Sequence, residues 1–504
     1  MARYRQTEAE NGQGMFLMVS LKEQLLPETF EYMLDEIINT KIDTSIFDKK
    51  YKNDKTGASA IPPKALLKLI IYGYSKGHKS SREIWELSRN NIIAKALTGD
   101  MNVHWTTIAD FISSNSDEFK EIFVDVLAYC NDLGLIGVET FAIDGLRLPS
   151  NASMSLTGTK EQLEKRLGVY QRMAQKHLER HQRKDSNGEL DKNTEKHFME
   201  RQKKLSRQID KTSKFLKTMK KKEGGRGQEI KSNVTDNESA MIHSPSGYIQ
   251  GYIGLAVSDR KEQIIVSAEA FGSANEGVHL HEMLSQSEKN VKKTSGEEVW
   301  EKNKKTFLAD KNYFSEENLK MCDEFGLDAV IPDSQDKRRF GDNKEKLYEV
   351  EDFKYNKNED HYECPWGKIL LYKGEDDLDG CEVKYYRASV KDCRICPLYS
   401  KCIRSKKDQC TIDKGKSLVV RKSNEHGSYC LRMRKKLETE KYKELYGQRI
   451  QVIEPVFANI SYCKGLNRFT LRGKEKVNGQ WQLYCIVHNL GKCLKGFNII
   501  KNSA

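Results

Sequence analysis

The feature that most restricts the fold is a set of short segments rich in β-branched and aromatic residues, separated by segments with helical spacing. Such short segments are typical of strands, and they lie at residues 138–144, 247–271, 305–310 and 327–332. The second segment holds two strands that a polar turn joins as a hairpin. The order of strand, hairpin, helix, strand, helix and strand predicts an α/β fold, in which helices pack against a mixed sheet.

The region before this pattern, up to about residue 135, is predicted to be helical. Pro63 stands at the start of an apolar run with helical spacing, where proline is a start signal. Ser80 opens the run Ser-Ser-Arg-Glu, which predicts the N-terminus of the next helix. Two interpretations stay open for these short helices. They form either a helix-turn-helix-like unit that binds DNA or a small bundle that supports the next domain.

A second helical region interrupts the strand pattern between residues 159 and 222. Thr159 and Gln162 have the spacing of a capping box. Apolar residues then recur four and three apart on both sides of the break KDSNGEL at residues 184–190, which predicts a charged helical hairpin. The favoured interpretation is a solvated insertion without chemistry, and contact with DNA or with a second subunit is the alternative.

Composition narrows the class of protein. The formal net charge is +12 and the pI is about 8.9, which suits a polyanionic partner because Lys and Arg release counterions from phosphates. No stretch approaches the roughly 18 apolar residues of a membrane span, and the polar N-terminus lacks the apolar region of a secretory signal. We therefore expect no membrane partner and a location in the cytoplasm, where the 12 cysteines stay reduced.

Two acids stand where predicted strands end. Asp144 and Asp310 each close a strand segment, and the ends of neighbouring strands in an α/β sheet bring side chains together at one edge. Adjacent carboxylates repel each other unless a cation lies between them, and Mg²⁺ prefers such oxygen ligands. For either acid alone, a role as a turn or cap residue is the more frequent explanation.

Four sequence motifs, which occur in a fixed order, point to a role for these acids. The strings FAIDGLRLPSNAS, FLADKNYFSEENL and YGQRIQVIEPVFANI, together with the earlier KALLKLIIYGYSKGHKSSREIWEL, resemble the corresponding segments of the DDE-type transposases of bacterial insertion sequences. The resemblance covers roughly residues 20 to 490. It implies an RNase H-like catalytic core, preceded by a helical domain and interrupted by insertions.

The resemblance also implies roles for individual residues. Asp144, Asp310 and Glu454 would be the catalytic acids that hold Mg²⁺ or Mn²⁺, with Glu454 near the start of a helix whose first turn contains Pro455. Tyr446 and Arg449 would contact DNA. This chain departs from the family by placing four residues rather than three between the Arg and the Glu. Where the family often has a Lys, it has Ser461, so Lys464 or Arg468 would take that role.

The implied organisation is a DNA-end-binding helical domain, a split core and two insertions. The boundaries are 1–135 for the helical domain, 136–158 with 240–340 for the first part of the core, 159–235 for the helical-hairpin insertion, 341–420 for a cysteine-rich insertion and 421–504 for the part with the Glu helix.

The implied activity is cleavage of double-stranded DNA at the terminal inverted repeats of the element, followed by joining to target DNA, by a homodimer on the nucleoid. The alternatives are a decayed or non-catalytic DNA-binding protein, and a nuclease of the same fold that cuts without joining.

The cysteine-rich insertion has its own chemistry. Its candidate residues are Cys364, in the turn-like string Cys-Pro-Trp-Gly, then Cys393, Cys396 and Cys402. Four thiolates can build a closed tetrahedral zinc site, although this spacing is not a standard finger pattern. Zinc and four reduced thiols in a small β insertion stay open as alternatives.

Overall fold

The structure is a computed structural model, and it describes residues 20–51, 59–186, 192–224, 227–245, 247–301, 304–333, 347–378, 381–403, 408–421 and 429–503. The chain divides into two compact units. Unit 1 consists of Met1–Lys304 with Ile450–Ala504, and unit 2 is Lys305–Arg449. Across the described ranges, no helix is both long and apolar enough to span a bilayer.

The secondary structure mixes helices and strands. In chain order the α-helices are α1 Phe30–Thr40, α2 Pro63–Ser75, α3 Ser81–Asn90, α4 Ile92–Thr98, α5 Trp105–Ser114, α6 Ser116–Asp132, α7 Lys160–Ser186, α8 Lys192–Thr218, α9 Leu280–Ser295, α10 Glu297–Glu301, α11 Glu316–Glu324, α12 Val390–Arg394, α13 Tyr399–Cys402, α14 Tyr429–Leu437, α15 Glu440–Ala458 and α16 Lys474–Ser503. The strands are β1 Thr140–Pro149, β2 Thr157–Gly158, β3 Lys222–Glu223, β4 Glu229–Ile230, β5 Ser232–Asn233, β6 Ala240–Ser244, β7 Gly247–Asp259, β8 Ile265–Phe271, β9 Lys305–Leu308, β10 Leu327–Val330, β11 Lys354–Asn356, β12 His361–Glu363, β13 Ile369–Leu378, β14 Cys381–Ala388 and β15 Ser417–Arg421.

The N-terminal helices begin where the sequence predicts. Helix α2 starts at Pro63. Ser80 caps α3, because its hydroxyl accepts from the Glu83 amide at 3.2 Å while the Glu83 carboxylate accepts from the Ser80 amide at 2.9 Å. Helices α1, α2, α5 and α6 pack on α16 within unit 1, where the buried rings of Tyr74 and Tyr484 stack with centroids 4.4 Å apart.

Strand β7 is the centre of the unit 1 sheet and pairs antiparallel with β1, β6 and β8, which confirms the predicted hairpin of β7 and β8. The prediction that the first strand ends at Asp144 is wrong, because β1 continues to Pro149. Its second half stays in register with β7, from Gly145 opposite Leu255 to Pro149 opposite Gly251. Pairing with a remote strand therefore extends β1 through a segment that reads as a polar loop.

Helix α16 lies against the edge of this sheet. Every residue from 477 to 490 is buried, including polar side chains that bond to the backbone of β8. Asn489 accepts from the Ile265 amide and donates to its carbonyl, both at 2.9 Å, and Asn478 accepts from the Ala270 amide at 3.0 Å. Gln482 donates to the Ala268 carbonyl. These side chains cover the open edge of β8, which would otherwise leave its backbone groups unpaired.

Helices α7 and α8 form the predicted helical hairpin. The Thr159 hydroxyl accepts from the Gln162 backbone amide at 3.4 Å, and the Gln162 side-chain Oε1 accepts from the Thr159 backbone amide at 3.1 Å. These two bonds confirm the capping box. Leu163 and Leu205 are buried, as expected for a pair with one apolar face each. The predicted break at KDSNGEL falls partly on residues 187–191, which lie outside the described residues.

Unit 2 contains two separate strand groups. Strands β9 and β10 run parallel, and Ser315 caps α11 by accepting from the Asn318 amide at 3.1 Å. Strands β11 to β15 form an antiparallel five-stranded sheet in sequence order. Its core contains Phe353, Leu370 and Tyr386, so this cysteine-rich segment is a β structure.

Candidate active site

Asp144 lies in the middle of β1, opposite Ala256 of β7, and is half-buried. The Gly145 amide donates to its Oδ1 at 2.8 Å. A β-carbon at Gly145 would come within 2.6 Å of the Ile253 side chain and 3.2 Å of the Glu276 carboxyl carbon. The glycine after the acid is therefore required by close packing on the opposite face of the strand, and this packing fixes the position of Asp144.

An ion pair between the half-buried Arg147 and the buried Glu276 lies beside this glycine, and sequence reasoning missed it. Arg147 donates to Oε1 of Glu276 from Nε at 3.0 Å and from Nη2 at 2.7 Å, and its Nη1 donates to the His243 carbonyl at 3.1 Å. The Glu276 side chain is 2% exposed. Removal of Arg147 would leave the buried Glu276 charge without this partner. Because 129 residues separate the two, local sequence patterns carried no signal for the pair.

Glu454 is exposed on α15, whereas Val452, Ile453, Val456 and Phe457 around it are buried. The prediction that this helix begins near Glu454, with Pro455 in its first turn, is wrong, because α15 already starts at Glu440.

Pro455 lies inside the helix, where its missing N–H leaves the carbonyl of Gln451 without its usual donor. The Gln263 side chain donates to that carbonyl at 2.9 Å. This bond from a remote residue compensates for the helix-breaking proline.

Asp310 belongs to unit 2 and follows the end of β9 by two residues. It is half-buried and caps a short 3-10 turn at Lys311–Tyr313. Its carboxylate accepts from the Lys311 amide at 2.6 Å and from the Asn312 side chain at 3.2 Å. Asn318 of α11 is buried and donates to the Tyr313 carbonyl at 3.0 Å. The turn that presents the acid is thus fixed by the helix that follows it.

The residues predicted to contact DNA lie on and after α15. Tyr446 and Arg449 are half-buried on that helix, in the part that belongs to unit 2. Lys464 is half-buried and follows a π-helical turn at Asn459–Cys463 in unit 1. Burial lowers the pKa of Lys464, and the nearby charge of Lys76 lowers it further.

In the part of the chain that the structure describes, no group of three or more His, Cys, Asp or Glu side chains is placed to hold a metal ion. The convergence of Asp144, Asp310 and Glu454 on shared ions therefore stays a prediction. Carboxylate oxygens are the ligands that Mg²⁺ and Mn²⁺ prefer, so the chemistry of the predicted donor set fits the metals that the sequence suggests.

The four cysteines predicted as ligands lie in one region of the unit 2 sheet. Cys364 and Cys402 pack against the core cluster that contains Cys393. Burial raises the pKa of the Cys402 thiol to about 11, and the thiols of Cys393, Cys396 and Cys364 contribute to this rise while Lys416 opposes it.

Backbone amides point at two of these sulfur atoms. The Lys368 amide donates to the sulfur of Cys364 at 3.3 Å, and the Lys416 amide donates to that of Cys393 at 3.4 Å. The predicted turn at Cys364 is confirmed, because the Gly367 amide donates to the Cys364 carbonyl at 2.7 Å.

Comparison with known proteins gives two family matches. Residues 363–494 match the family described as Transposase DDE domain, and residues 19–114 match the family described as Transposase domain (DUF772). No curated protein matches the chain. Among solved structures, the chain is similar to a piggyBac transposase in a cryo-EM synaptic complex with hairpin DNA. The identity is 11%, the match covers 96% of this chain and 77% of that chain, and the TM-score is 0.33.

Proposed function

Because the chain belongs to the DDE-type transposases of insertion sequences, we propose that it cleaves DNA at the ends of its element and joins the freed ends to target DNA. The observation that carries this proposal is the pair of family matches, one at residues 19–114 and one at residues 363–494. The second match includes Glu454. A dimer on double-stranded DNA is part of the proposal, because an element has two ends to hold.

The proposed catalytic acids are Asp144, Asp310 and Glu454. When bound to them, Mg²⁺ or Mn²⁺ would activate the attacking oxygen and stabilise the leaving oxygen of an in-line displacement at phosphorus. Asp144 suits this role because strand pairing and the packing around Gly145 hold it in place. Glu454 suits it because its carboxylate is exposed, while buried neighbours hold the helix that carries it in place.

Contacts to the DNA backbone are assigned to Tyr446, Arg449 and Lys464. Arginine binds phosphate through a planar fork of donors, and a tyrosine can stack on or hydrogen-bond to an extruded nucleotide. The lowered pKa of Lys464 reports the cost of holding that cation half-buried. A phosphate beside Lys464 would stabilise the charged form of the amine and so raise the pKa of Lys464.

The decisive experiment measures cleavage and joining separately. Duplex DNA that carries the element end is supplied intact or pre-cleaved, with Mg²⁺ and a target plasmid. We expect Glu454→Gln to lower both rates about a thousandfold, the scale of one electrostatic group in a transition state, without weakening DNA binding. Glu440→Gln is the matched control, because Glu440 is also exposed on α15 and pairs only at the surface with Lys443.

Each alternative function has its own outcome in this experiment. Cleavage of intact ends without joining of pre-cleaved ends would identify a nuclease that does not transpose. DNA binding without either reaction, in wild-type protein and variants alike, would identify a non-catalytic DNA-binding protein. Equal loss in the Glu454 and Glu440 variants would remove Glu454 from the catalytic set.

We also propose zinc as the ligand of Cys364, Cys393, Cys396 and Cys402. The packing of Cys364 and Cys402 against the cluster that contains Cys393, and the amides that donate to two of the sulfurs, support this, because four thiolates can build a closed zinc site. Metal analysis of purified protein should find one zinc per chain, lost in Cys393→Ser with Cys396→Ser and retained in Cys410→Ser. Equal zinc content in all three proteins would leave four reduced thiols.

A further inference from the structure

The positive charge of the chain is concentrated in one element. Helices α7 and α8 together contain seventeen Lys and Arg residues and seven Asp and Glu residues, a net charge of +10, whereas the whole chain carries +12. The rest of the molecule is therefore close to neutral. A solvated spacer needs no such excess, because a balanced mixture of charges keeps a helix soluble at lower cost in repulsion.

The packing of the hairpin explains where these charges point. The rings of His177 and His181 on α7 lie against Phe198 on α8, with centroids 4.6 Å and 3.8 Å apart. Leu163 and Leu205 are buried. One face of each helix is thus used for pairing, and the lysines and arginines occupy the remaining faces.

One row of these cations lines a groove. Lys203, Lys204, Arg207 and Lys211 of α8 border a groove of about 520 Å³. Their spacing of one, three and four residues places them on one side of the helix over about two turns. All four side chains are exposed, and within the described residues none of them takes part in an ion pair. The acid Glu200 also borders this groove, at its N-terminal end.

The groove is also lined by Leu156 and by two hydroxyl-bearing residues whose positions are fixed by hydrogen bonds. These two residues are Ser153 and Thr235, and the Ser153 amide donates to the Thr235 hydroxyl at 2.8 Å. Asn233, which is fully buried, donates to the Ser153 carbonyl at 2.8 Å and accepts from the Thr235 amide at 2.8 Å. Ser153 follows the end of β1 by four residues, so the groove begins close in the chain to the strand that carries Asp144.

We propose that this groove face of α8 binds the phosphate backbone of double-stranded DNA, an inference that rests on the proposed function. A row of cations on one side of a helix matches a row of phosphates, because the charges are complementary. A second copy of the chain is the poorer partner, because two such faces would repel each other. We expect the interaction to be independent of base sequence, because the phosphates are the same at every base pair.

The test removes four charges from each helix in turn. The groove variant carries Lys203→Ala, Lys204→Ala, Arg207→Ala and Lys211→Ala. The control variant carries Arg172→Ala, Lys176→Ala, Arg180→Ala and Lys184→Ala on α7, which are also exposed. Both variants lose the same net charge, and alanine preserves helices, which circular dichroism checks. Binding to a 30-base-pair duplex of random sequence is measured by fluorescence anisotropy between 50 and 200 mM KCl.

We expect the groove variant to bind at least tenfold more weakly at 100 mM KCl. The slope of log K against log salt should fall by about 3 to 4, since each lost phosphate contact removes about 0.9. The control should change the slope by less than about 1. Equal weakening of both variants, unchanged binding in the groove variant, or no binding by the wild-type protein would overturn the inference.

Two further readings separate this inference from the proposed function. A groove variant that binds duplex DNA as tightly as the wild-type protein and still joins DNA ends would contradict the inference. The same result would leave the proposed transposase function standing. Glu454→Gln, which lies outside the hairpin, should retain the wild-type salt slope while losing chemistry. A change in sedimentation of the groove variant without a change in DNA binding would make this face a subunit interface instead.

Discussion

Helices α16 and α8 have similar lengths, 30 and 27 residues, and opposite surroundings. In α16 every residue from 477 to 490 is buried, and its polar side chains bond to a strand edge. Among the α8 side chains whose burial the structure describes, only Leu205 and Thr212 are buried, and cations cover the exposed faces. The contrast teaches that polar residues in a long helix can serve either to complete a core or to present charge. Burial decides which of the two applies.

The largest loss of stability is expected from a cavity in the core around α16. The Trp481 ring lies beneath Gly254, where a β-carbon would come within 2.8 Å of it, and its Nε1 donates to the Leu255 carbonyl at 2.9 Å. Trp481→Ala should lower the free energy of unfolding by about 4 kcal/mol, measured by urea denaturation followed by circular dichroism. Leu205→Ala in α8 should cost about 2 kcal/mol at most, since the hairpin can open locally. Equal losses of unfolding free energy in the two variants would contradict the difference between the two helices.

A smaller loss of stability is expected when the pH is lowered. Burial lowers the pKa of His488 in α16 to about 4, below its usual value of about 6.5. The unfolded chain therefore binds this proton first as pH falls, so stability is complete above about pH 6.5 and declines toward pH 4. The expected loss from His488 at pH 5 is about 2 kcal/mol, measured by denaturation at a series of pH values.

The control for this pH effect is His488→Gln. It should flatten the profile only in part, because burial also lowers the pKa of His279 to about 4. A profile of His488→Gln identical to that of the wild-type protein would show that His488 titrates normally in the folded chain.

The smallest effect is expected at the start of the hairpin. Thr159→Ala removes the cap of α7 and should cost about 1 kcal/mol, seen as faster hydrogen exchange in the first turn. Thr218→Ala is the matched control, because Thr218 lies at the end of α8 and bonds only to carbonyls of its own helix. A cost at Thr159 no greater than that at Thr218 would show that the capping box contributes nothing.

The sequence predicted the parts of the fold that depend on neighbours a few residues apart. The caps at Ser80 and Thr159 were both found as expected, because a capping side chain reaches only three residues along the chain. The helical hairpin and the β7–β8 hairpin were found for the same reason. The candidate site was predicted by motif, and Asp310 does follow the end of its strand.

The sequence by itself determined where several helices begin and where two hairpins form, because caps, turns and apolar periodicity act over one or two turns of chain. Only the tertiary structure decided that β1 continues past Asp144, that Gln263 supports the helix at Pro455, and that Arg147 pairs with Glu276. Each of these depends on a partner about a hundred or more residues away. The free energy of such contacts comes from removing both partners from water together, and no local pattern records that.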